Sequence, residues 1–339
     1  MIRTVLGDIA PGELGVTDSH DHLFFASAKL PGQELDDAAA AGAELRAFAA
    51  AGGQTLAQWT PMGLGRHAEE LPALSEAAGV HIIAATGLHQ AGHYEPERLA
   101  VLLDNLAERF IAEISEGLRR DDEPDGPPIA LSAAAGDGGG GGGGHGDGDG
   151  DGDGAGIRSP CAGLIKIAGD FHHLDRHASL VFEAAAAAHH ATGSTIAVHL
   201  EGGTHPLGVL ATLHERLGVP AGSVILGHLN RFPDPGPHRE AAEAGAFLGF
   251  DGPSRANHAT DWRLFDLLDS LVETGHAGQV LLGGDTTSAA ARASSGGGPG
   301  IPFLLTDIRA RVLRDFGPDV ADAVFRRNPA RAFDADWRL

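Results

Sequence analysis

The sequence contains one cysteine, Cys161, among 339 residues. A single cysteine forms no intramolecular disulfide and supplies no cysteine pair for a thiolate zinc site. Any metal ion that the protein holds is therefore expected to be bound through nitrogen and oxygen ligands. The 19 histidines are the first candidates for that role.

Long apolar runs and positive charge are also scarce. No stretch reaches the roughly 18 uninterrupted apolar residues of a membrane helix, and the chain does not open with a basic segment followed by an apolar one. The 24 lysines and arginines stand against 46 aspartates and glutamates, which gives a formal net charge of −22. A surface this negative repels nucleic acid and anionic lipid. We therefore expect a cytoplasmic protein that binds neither nucleic acid nor membranes.

Eight short, mostly apolar segments recur along the chain. Near-continuous apolar character is typical of parallel strands that are buried on both faces. Eight such strands alternating with helices predict an α/β fold, a single (β/α)₈ TIM barrel, and the alternative is an open doubly wound sheet. The predicted strands cover residues 15–20, 54–60, 80–87, 163–169, 195–201, 223–229, 246–252 and 279–285.

The segments between the strands carry helical patterns, apart from one stretch rich in glycine and aspartate. Residues 96–120 place apolar side chains at three-to-four spacing, which predicts one amphipathic helix, and residues 175–193 predict an alanine-rich helix. Residues 121–160 include seven consecutive glycines. Such a composition buries too little apolar surface to offset its ordering entropy, so we predict a disordered insertion within one domain that spans 1–339. Calcium binding by its aspartates is the alternative interpretation.

Histidine and aspartate stand where several predicted strands end. His20 and His22 are two residues apart on the first strand, so both side chains point to the same side. His199 ends the fifth strand, His228 the sixth and Asp285 the eighth. Because barrel enzymes place their chemistry at the carboxyl ends of the strands, we expect these residues to meet in a metal site there. For each histidine alone, a hydrogen-bonded structural role is the alternative.

Lys166 interrupts an apolar strand, where an unpaired ammonium group is costly to bury. A lysine that extends its charged end to the surface is one interpretation. In the other, two nearby divalent cations remove its proton. The neutral amine could then react with carbon dioxide to give a carbamate that bridges both ions.

Most of the sequence resembles the phosphotriesterase family of the amidohydrolase superfamily. The resembling segments are TVLGDIAPGELGVTDSHDHLF, GLGRHAEELPALSEAAGVHIIAATG, LIKIAGD, AVHLEGGTHPLGVLATLHERLGVPAGSVILGHLNR, FLGFDGPSR, LLGGD and RRNPARAF. The resemblance implies a binuclear metal centre at the C-terminal face of the barrel. Its ligands would be His20, His22 and Asp285 at the more buried ion, His199 and His228 at the more exposed ion, and Lys166, as N6-carboxylysine, between the two.

The resemblance also implies ester hydrolysis. Two divalent ions, with zinc as the expected metal, would acidify a shared water and polarise the oxygen under attack. Asp285 would accept the proton of the attacking hydroxide, so Asp285 and Lys166 are the catalytic candidates. We expect a lactone or another carboxylic ester as the small-molecule substrate, with phosphotriesters as a side activity. A homodimer is compatible with the family, although no surface pattern requires one.

Other functions stay open at this point. Phosphotriester hydrolysis could be the main activity, as in an aryldialkylphosphatase, or the barrel could bind metal without catalysing a reaction. An amidase or deaminase of the same superfamily would cleave amides or amines in preference to esters.

Loops after the strands supply the candidates for substrate binding. One branch of the family follows a Gly-Pro-x-Arg loop with a Lys-Tyr pair suited to a phosphorylated sugar lactone, and this chain lacks that pair. Arg231 and Arg255 remain the candidates for binding an anionic group, with a structural role on a loop as the alternative. Tyr94, the only tyrosine, either borders the pocket or fills the core. Trp59 is expected in the core.

Overall fold

The chain begins with a small antiparallel hairpin that precedes the main sheet. The computed structural model describes residues 1–131, 159–251, 259–295 and 297–338. The hairpin consists of β1, Ile2–Thr4, and β2, Gly7–Ile9. Its Ile2 side chain is fully buried in the same cluster as the residues that fill the inside of the main sheet.

Eight parallel strands form the main sheet, in the same order in space as along the chain. The last strand returns to the first, because the backbone N–H of Asp285 donates to the carbonyl of His20 over 3.0 Å. The sheet is thus a nearly closed barrel, which confirms the predicted TIM barrel over the open doubly wound sheet. Its strands are β3 Thr17–Asp21, β4 Thr55–Gln58, β5 His81–Gly87, β6 Leu164–Ala168, β7 Ile196–His199, β8 Val224–Leu226, β9 Phe247–Asp251 and β10 Val280–Gly283.

Helices surround the barrel and cover the outward faces of its strands. A large buried cluster joins Phe48, Phe110 and Phe182 of three helices to the outward strand residues Ile82 and Ile165. None of the described helices combines the length and apolar content needed to cross a membrane. The α-helices are α1 Ala38–Ala50, α2 Leu71–Ala78, α3 Pro96–Leu103, α4 Leu106–Ser115, α5 Arg176–Thr192, α6 Pro206–Leu210, α7 Pro235–Glu243, α8 Leu264–Glu273, α9 Arg309–Phe316, α10 Pro318–Asp322 and α11 Asn328–Ala332. Among the described residues, three π-helical segments adjoin them, at Ala211–Arg216, Leu304–Ile308 and Ala323–Arg327.

The single helix predicted over 96–120 is wrong, because the structure forms α3 and α4 there. Asn105 separates them with φ 51°, in the left-handed region that asparagine tolerates better than most residues. The Arg109 guanidinium stabilises the break by donating to the carbonyl of Asp104 over 2.7 Å and to that of Val101 over 3.2 Å. These bonds supplement the N–H of Asp104, which donates to the carbonyl of Val101 over 3.4 Å at the end of α3.

The described ends of the predicted insertion contact the barrel. Asp121 accepts the backbone N–H groups of Gly63 and Arg66, each over 3.0 Å. Leu118 donates its N–H to the carbonyl of Pro160 over 2.7 Å, so the two ends of the segment lie side by side. The glycine-rich tract and the aspartates considered for calcium lie outside the described residues. The disorder of the insertion stays a prediction.

Candidate metal centre

The strand alternation that packs the barrel interior also directs the candidate ligands into its carboxyl end. Leu164 and Ala197 belong to the buried cluster that fills the interior. Lys166 and His199 follow them by two residues on β6 and β7. Since residues two apart on a strand share a face, the lysine and the histidine point inward, above that cluster.

Imidazole rings from three strands form a continuous row at this end of the barrel. The ring centroids of His22 and His20 lie 5.4 Å apart, those of His20 and His228 5.0 Å, and those of His228 and His199 4.3 Å. Trp59, predicted in the core, is buried and stacks on His20 with 3.8 Å between centroids. The structure therefore brings the four predicted histidines into one cluster, in which His20, His22 and His228 are buried and His199 is partly exposed.

Asp285 faces two of these rings at the spacing of metal ligands. Its Oδ1 atom lies 3.5 Å from Nε2 of His20 and 3.4 Å from Nε2 of His22. Two ligand atoms that bind the same zinc ion at about 2.1 Å lie about 3.0 to 3.4 Å from each other. The lower value corresponds to a right angle at the zinc ion and the upper value to the tetrahedral angle. The three side chains form one group that could hold a metal ion.

Asp251, at the end of β9, is a site residue that the sequence analysis missed. Its Oδ1 lies 2.8 Å from Nδ1 of His20, and its Oδ2 pairs with Nδ1 of His228. These three residues form a second group that could hold a metal ion. We assign Asp251 an orienting role, because a carboxylate on one ring nitrogen leaves the opposite nitrogen for the ion. The sequence signal was an aspartate ending a predicted strand.

The remaining two histidines also have one nitrogen bound to a neighbour. Thr60 donates its hydroxyl hydrogen to the carbonyl of Phe24, so its oxygen accepts the Nδ1 hydrogen of His22 over 2.7 Å. His199 differs, since its Nε2 atom faces the carboxylate of Glu201 at 3.2 Å. That hydrogen bond lowers the pKa of Glu201 to about 2. Thr60 and Glu201 were also missed, because neither pattern nor spacing ties them to the ligands.

Two candidate ligands have strained backbones. His228 has φ 62° and Asp285 has φ 48°, both in the left-handed region that residues with a Cβ rarely adopt. Such conformations cost about 1 to 3 kcal/mol each and persist where the surroundings impose them, often at functional sites. Here the N–H of Asp285 is fixed on β3, and the carbonyl of His228 accepts the N–H of Arg231 over 3.0 Å.

Burial favours the neutral form of His22, His199 and His228, which is the form that metal binding requires. It lowers the pKa of His22 and of His199 to about 4, and that of His228 to about 3. It also lowers the pKa of Lys166 to about 7, although the charges of Asp285 and Glu201 oppose the shift. A substantial fraction of this amine is thus uncharged near neutral pH.

Lys166 is the residue of the cluster with the most unusual surroundings. It is 2% exposed, and within the described part of the chain its side chain forms no hydrogen bond or ion pair. Beside it lie neutral imidazoles and a carboxylate that stays ionised. Since these are the donors that zinc and similar ions prefer, the residues fit a divalent metal centre.

The predicted substrate residues are placed differently from one another. Arg231 is mostly buried and pairs with Oδ2 of Asp285. Burial alone would raise the pKa of Asp285, but the charge of this guanidinium holds that pKa well below its usual range. Tyr94 is 5% exposed, and its hydroxyl accepts the N–H of His89 over 2.8 Å, which fits the core role. Arg255 lies outside the described residues. His89, a buried residue not predicted for the site, has its ring centroid 4.6 Å from that of His199, with the two rings tilted by 58°.

Comparison with known proteins identifies the family. The sequence model of the phosphotriesterase family matches residues 1–123 and 151–333. The chain belongs to the phosphotriesterase family. The match leaves out residues 124–150, which lie within the predicted insertion. This family member is a metal-dependent hydrolase of the phosphotriesterase and lactonase type.

Relatives from three bacteria are similar to this phosphotriesterase family chain along most of its length, one in sequence and two in structure. A phospho-furanose lactonase of Mycoplasmopsis agalactiae is 29% identical over 78% of this chain and 70% of its own. The crystal structure of a lactonase from Listeria monocytogenes superposes with a TM-score of 0.81 at 25% identity, covering 99% of both chains. A variant of a Deinococcus radiodurans lactonase gives a TM-score of 0.76 at 26% identity, covering 98% of this chain and all of the other.

Proposed function

We propose that the protein hydrolyses a lactone or a related carboxylic ester at a centre of two divalent ions. The observation that carries this proposal is the meeting of neutral imidazoles, a buried amine and an ionised carboxylate at the carboxyl end of the barrel. Zinc is the expected metal, and Lys166 the expected carbamate. Phosphotriester hydrolysis is proposed as a side activity. Family membership and the lactonase relatives support this substrate class.

The two ion positions would share the side chains of the cluster. His20, His22 and Asp285 would hold the more buried ion, as their spacing indicates. His199 and His228 would hold the more exposed one, with Lys166 between the two. When bound, the ions supply acidification of water and polarisation of the substrate oxygen.

The protein side chains have separate tasks in this proposal. Asp285 is ionised and lies among the ligands, so it can accept a proton during attack on the substrate. Arg231 holds that carboxylate in place from the outer side. Asp251 and Thr60 keep three of the imidazoles oriented through their Nδ1 atoms.

An uncharged substrate fits the described residues better than a phosphorylated one. Of the two arginines considered for anion binding, Arg231 is occupied by Asp285 and Arg255 is not described. A buried guanidinium that already pairs with a carboxylate offers little net charge to a phosphate group. We therefore infer a lactone or ester without a phosphate group, although the name of one relative indicates a phosphorylated sugar lactone.

A substrate panel on the zinc-loaded enzyme tests this proposal. It comprises a γ-lactone, a phosphorylated sugar lactone, an aryl ester, an aryl dialkyl phosphate and an N-acetyl amide, each compared by kcat/KM. We expect the γ-lactone or the aryl ester to give the highest value. His199→Ala should abolish hydrolysis, while His190→Ala, on the exposed side of α5, should not change it.

Three results would contradict the proposal. A clear preference for the phosphorylated lactone would overturn the uncharged substrate. A preference for the phosphate triester or the amide would overturn the ester class. A metal-loaded protein that cleaves no compound in the panel would be a binding protein.

A further inference from the structure

The hydrogen-bond partner of His199 sets this residue apart from the other candidate ligands. His20, His22 and His228 are each bound through Nδ1, which leaves Nε2 for a metal ion. His199 is bound through Nε2, by Oε2 of Glu201 at 3.2 Å. If a carboxylate holds the Nε2 hydrogen, the lone pair of this ring is on Nδ1.

Glu201 is itself fixed by a side chain from another loop. The Nε2 group of Gln90, after β5, donates to Oε2 of Glu201 over 3.1 Å and to the carbonyl of Gly169 over 2.9 Å. Gln90 thereby links the loops that follow β5, β6 and β7. The backbone N–H of Gln90 also donates to Nδ1 of His89 over 2.8 Å.

We propose that Glu201 is a positioning residue for the more exposed metal position. It accepts the Nε2 hydrogen of His199, so that Nδ1 becomes the metal-binding atom, and Gln90 fixes the carboxylate in that geometry. The inference rests on the binuclear centre proposed above and adds a residue that this centre does not include. A carboxylate on the outer nitrogen also makes a histidine a stronger metal donor.

A direct metal bond from Glu201 is the competing interpretation, since 3.2 Å between Nε2 and Oε2 also suits two ligands of one ion. Two observations favour the orienting role. The oxygen that faces His199 already accepts a hydrogen from Gln90. Glu201 is also partly exposed, with 37% of its side chain accessible, whereas the other candidate ligands are more deeply buried.

Zinc titration of the purified full chain tests the proposal. The affinities of both ions are measured by competition with a chromophoric chelator for the wild-type protein and for the variants Glu201→Gln, Glu201→Ala, Gln90→Ala and His199→Ala. Glu215→Gln, which changes an exposed carboxylate in the Ala211–Arg216 segment, is the matched control. Thermal unfolding of the metal-free proteins checks that each variant folds, and Glu201→Gln remains informative if Glu201→Ala does not.

We expect one ion to bind roughly 10- to 100-fold more weakly in Glu201→Ala, and the other to keep its affinity. Glu201→Gln keeps a neutral oxygen acceptor and should lose less, as should Gln90→Ala. In ¹⁵N-histidine spectra of the zinc-loaded protein, the signals of His199 are identified by their absence in His199→Ala. Their chemical shifts should show zinc bound to Nδ1 and hydrogen bound to Nε2.

Several outcomes would overturn the proposal. Wild-type affinities in both Glu201 variants would show that the carboxylate has no effect on the centre. A loss in Glu201→Gln as large as that in His199→Ala would make Glu201 a ligand. Zinc on Nε2 of His199 would contradict the tautomer. A wild-type protein that binds fewer than two ions would overturn the binuclear centre as well, which separates that failure from a failure of the Glu201 assignment alone.

Discussion

Each candidate histidine ligand relies on a second residue that fixes its ring. A free imidazole offers either nitrogen and rotates about two bonds, so an unsupported site would lose part of its binding energy in ordering those rings. Asp251 supports two rings at once, because its two oxygens face His20 and His228. Burial makes the arrangement compatible with metal, since it keeps His22, His199 and His228 neutral at pH values at which ordinary histidines titrate.

We expect Asp285 to be the residue that most directly determines turnover. In Asp285→Asn the amide oxygen can still contact metal, but the side chain no longer accepts a proton. We expect most of the bound metal to remain and kcat for a lactone to fall by roughly 10²- to 10⁴-fold. Metal analysis and steady-state kinetics measure the two effects, with Asp269→Asn, on the exposed side of α8, as control. Unchanged turnover would exclude Asp285 from proton transfer.

The pH dependence of metal loading tests the role of Lys166. Only the neutral amine reacts with carbon dioxide, and the pKa of about 7 means that this form increases as the pH rises through that value. At a fixed concentration of dissolved carbon dioxide, zinc-dependent activation should therefore increase between about pH 6 and pH 8. Native mass spectrometry should show the added mass of one carbon dioxide, which Lys166→Ala should lack. Activation that is independent of carbon dioxide would contradict the carbamate.

At the scale of strands and helices, the sequence predicts the buried strands, because burial determines their composition. It misses features that depend on single contacts, such as a helix break or an orienting carboxylate. The eight strands were predicted to within a few residues, because strands buried on both faces are nearly continuous apolar runs. The helix over 96–120 was predicted as one piece because its apolar period continues across Asn105, where the local backbone breaks it. Asp251 was missed although it lies at the end of a predicted strand, because no local pattern marks its side-chain contact with His20.

The close contact between β5 and β6 determines the position of Lys166 along the barrel axis. A Cβ atom on Gly87 would lie 2.0 Å from the carbonyl oxygen of Lys166, and Gly87 also has φ +114°. Gly87→Ala should therefore displace β6 and destabilise the protein by about 3 kcal/mol or more. Gly79→Ala is the matched control, because Gly79 also has positive φ but open space around its Cβ position.

Denaturant unfolding and metal content measure the effect of these two variants. We expect Gly79→Ala to lower the free energy of unfolding by about 1 kcal/mol, because only the left-handed backbone conformation disfavours alanine there. This variant should keep its metal. Gly87→Ala should lose both stability and metal affinity. Equal effects of the two variants would show that the close approach of the strands does not position Lys166.

At the scale of the whole molecule, we expect the barrel and its site to be independent of the glycine-rich tract. The family match stops on one side of the tract and resumes within it. The chain ends that flank it are joined by the hydrogen bond from Leu118 to Pro160. No candidate ligand lies between them.

Replacing residues 136–154 by a short Gly-Ser linker should leave the enzyme unchanged. Loop closure entropy varies slowly with length, at about 0.6 kcal/mol for each doubling, so the free energy of unfolding should shift by less than about 1 kcal/mol. Metal content, kcat/KM and thermal unfolding should match those of the full chain. A large loss of activity, with the fold intact, would assign the tract a role in catalysis.

The central claim is that histidines from three strands, Lys166 and Asp285 hold two metal ions together, and anomalous diffraction from zinc-loaded crystals tests it most directly. We predict two zinc peaks roughly 3.5 to 4 Å apart. One should contact His20, His22 and Asp285, the other His199 and His228, with density for a carbamate on Lys166 between them. A single ion, or an ion held by Asp251 with His20 and His228, would contradict the account.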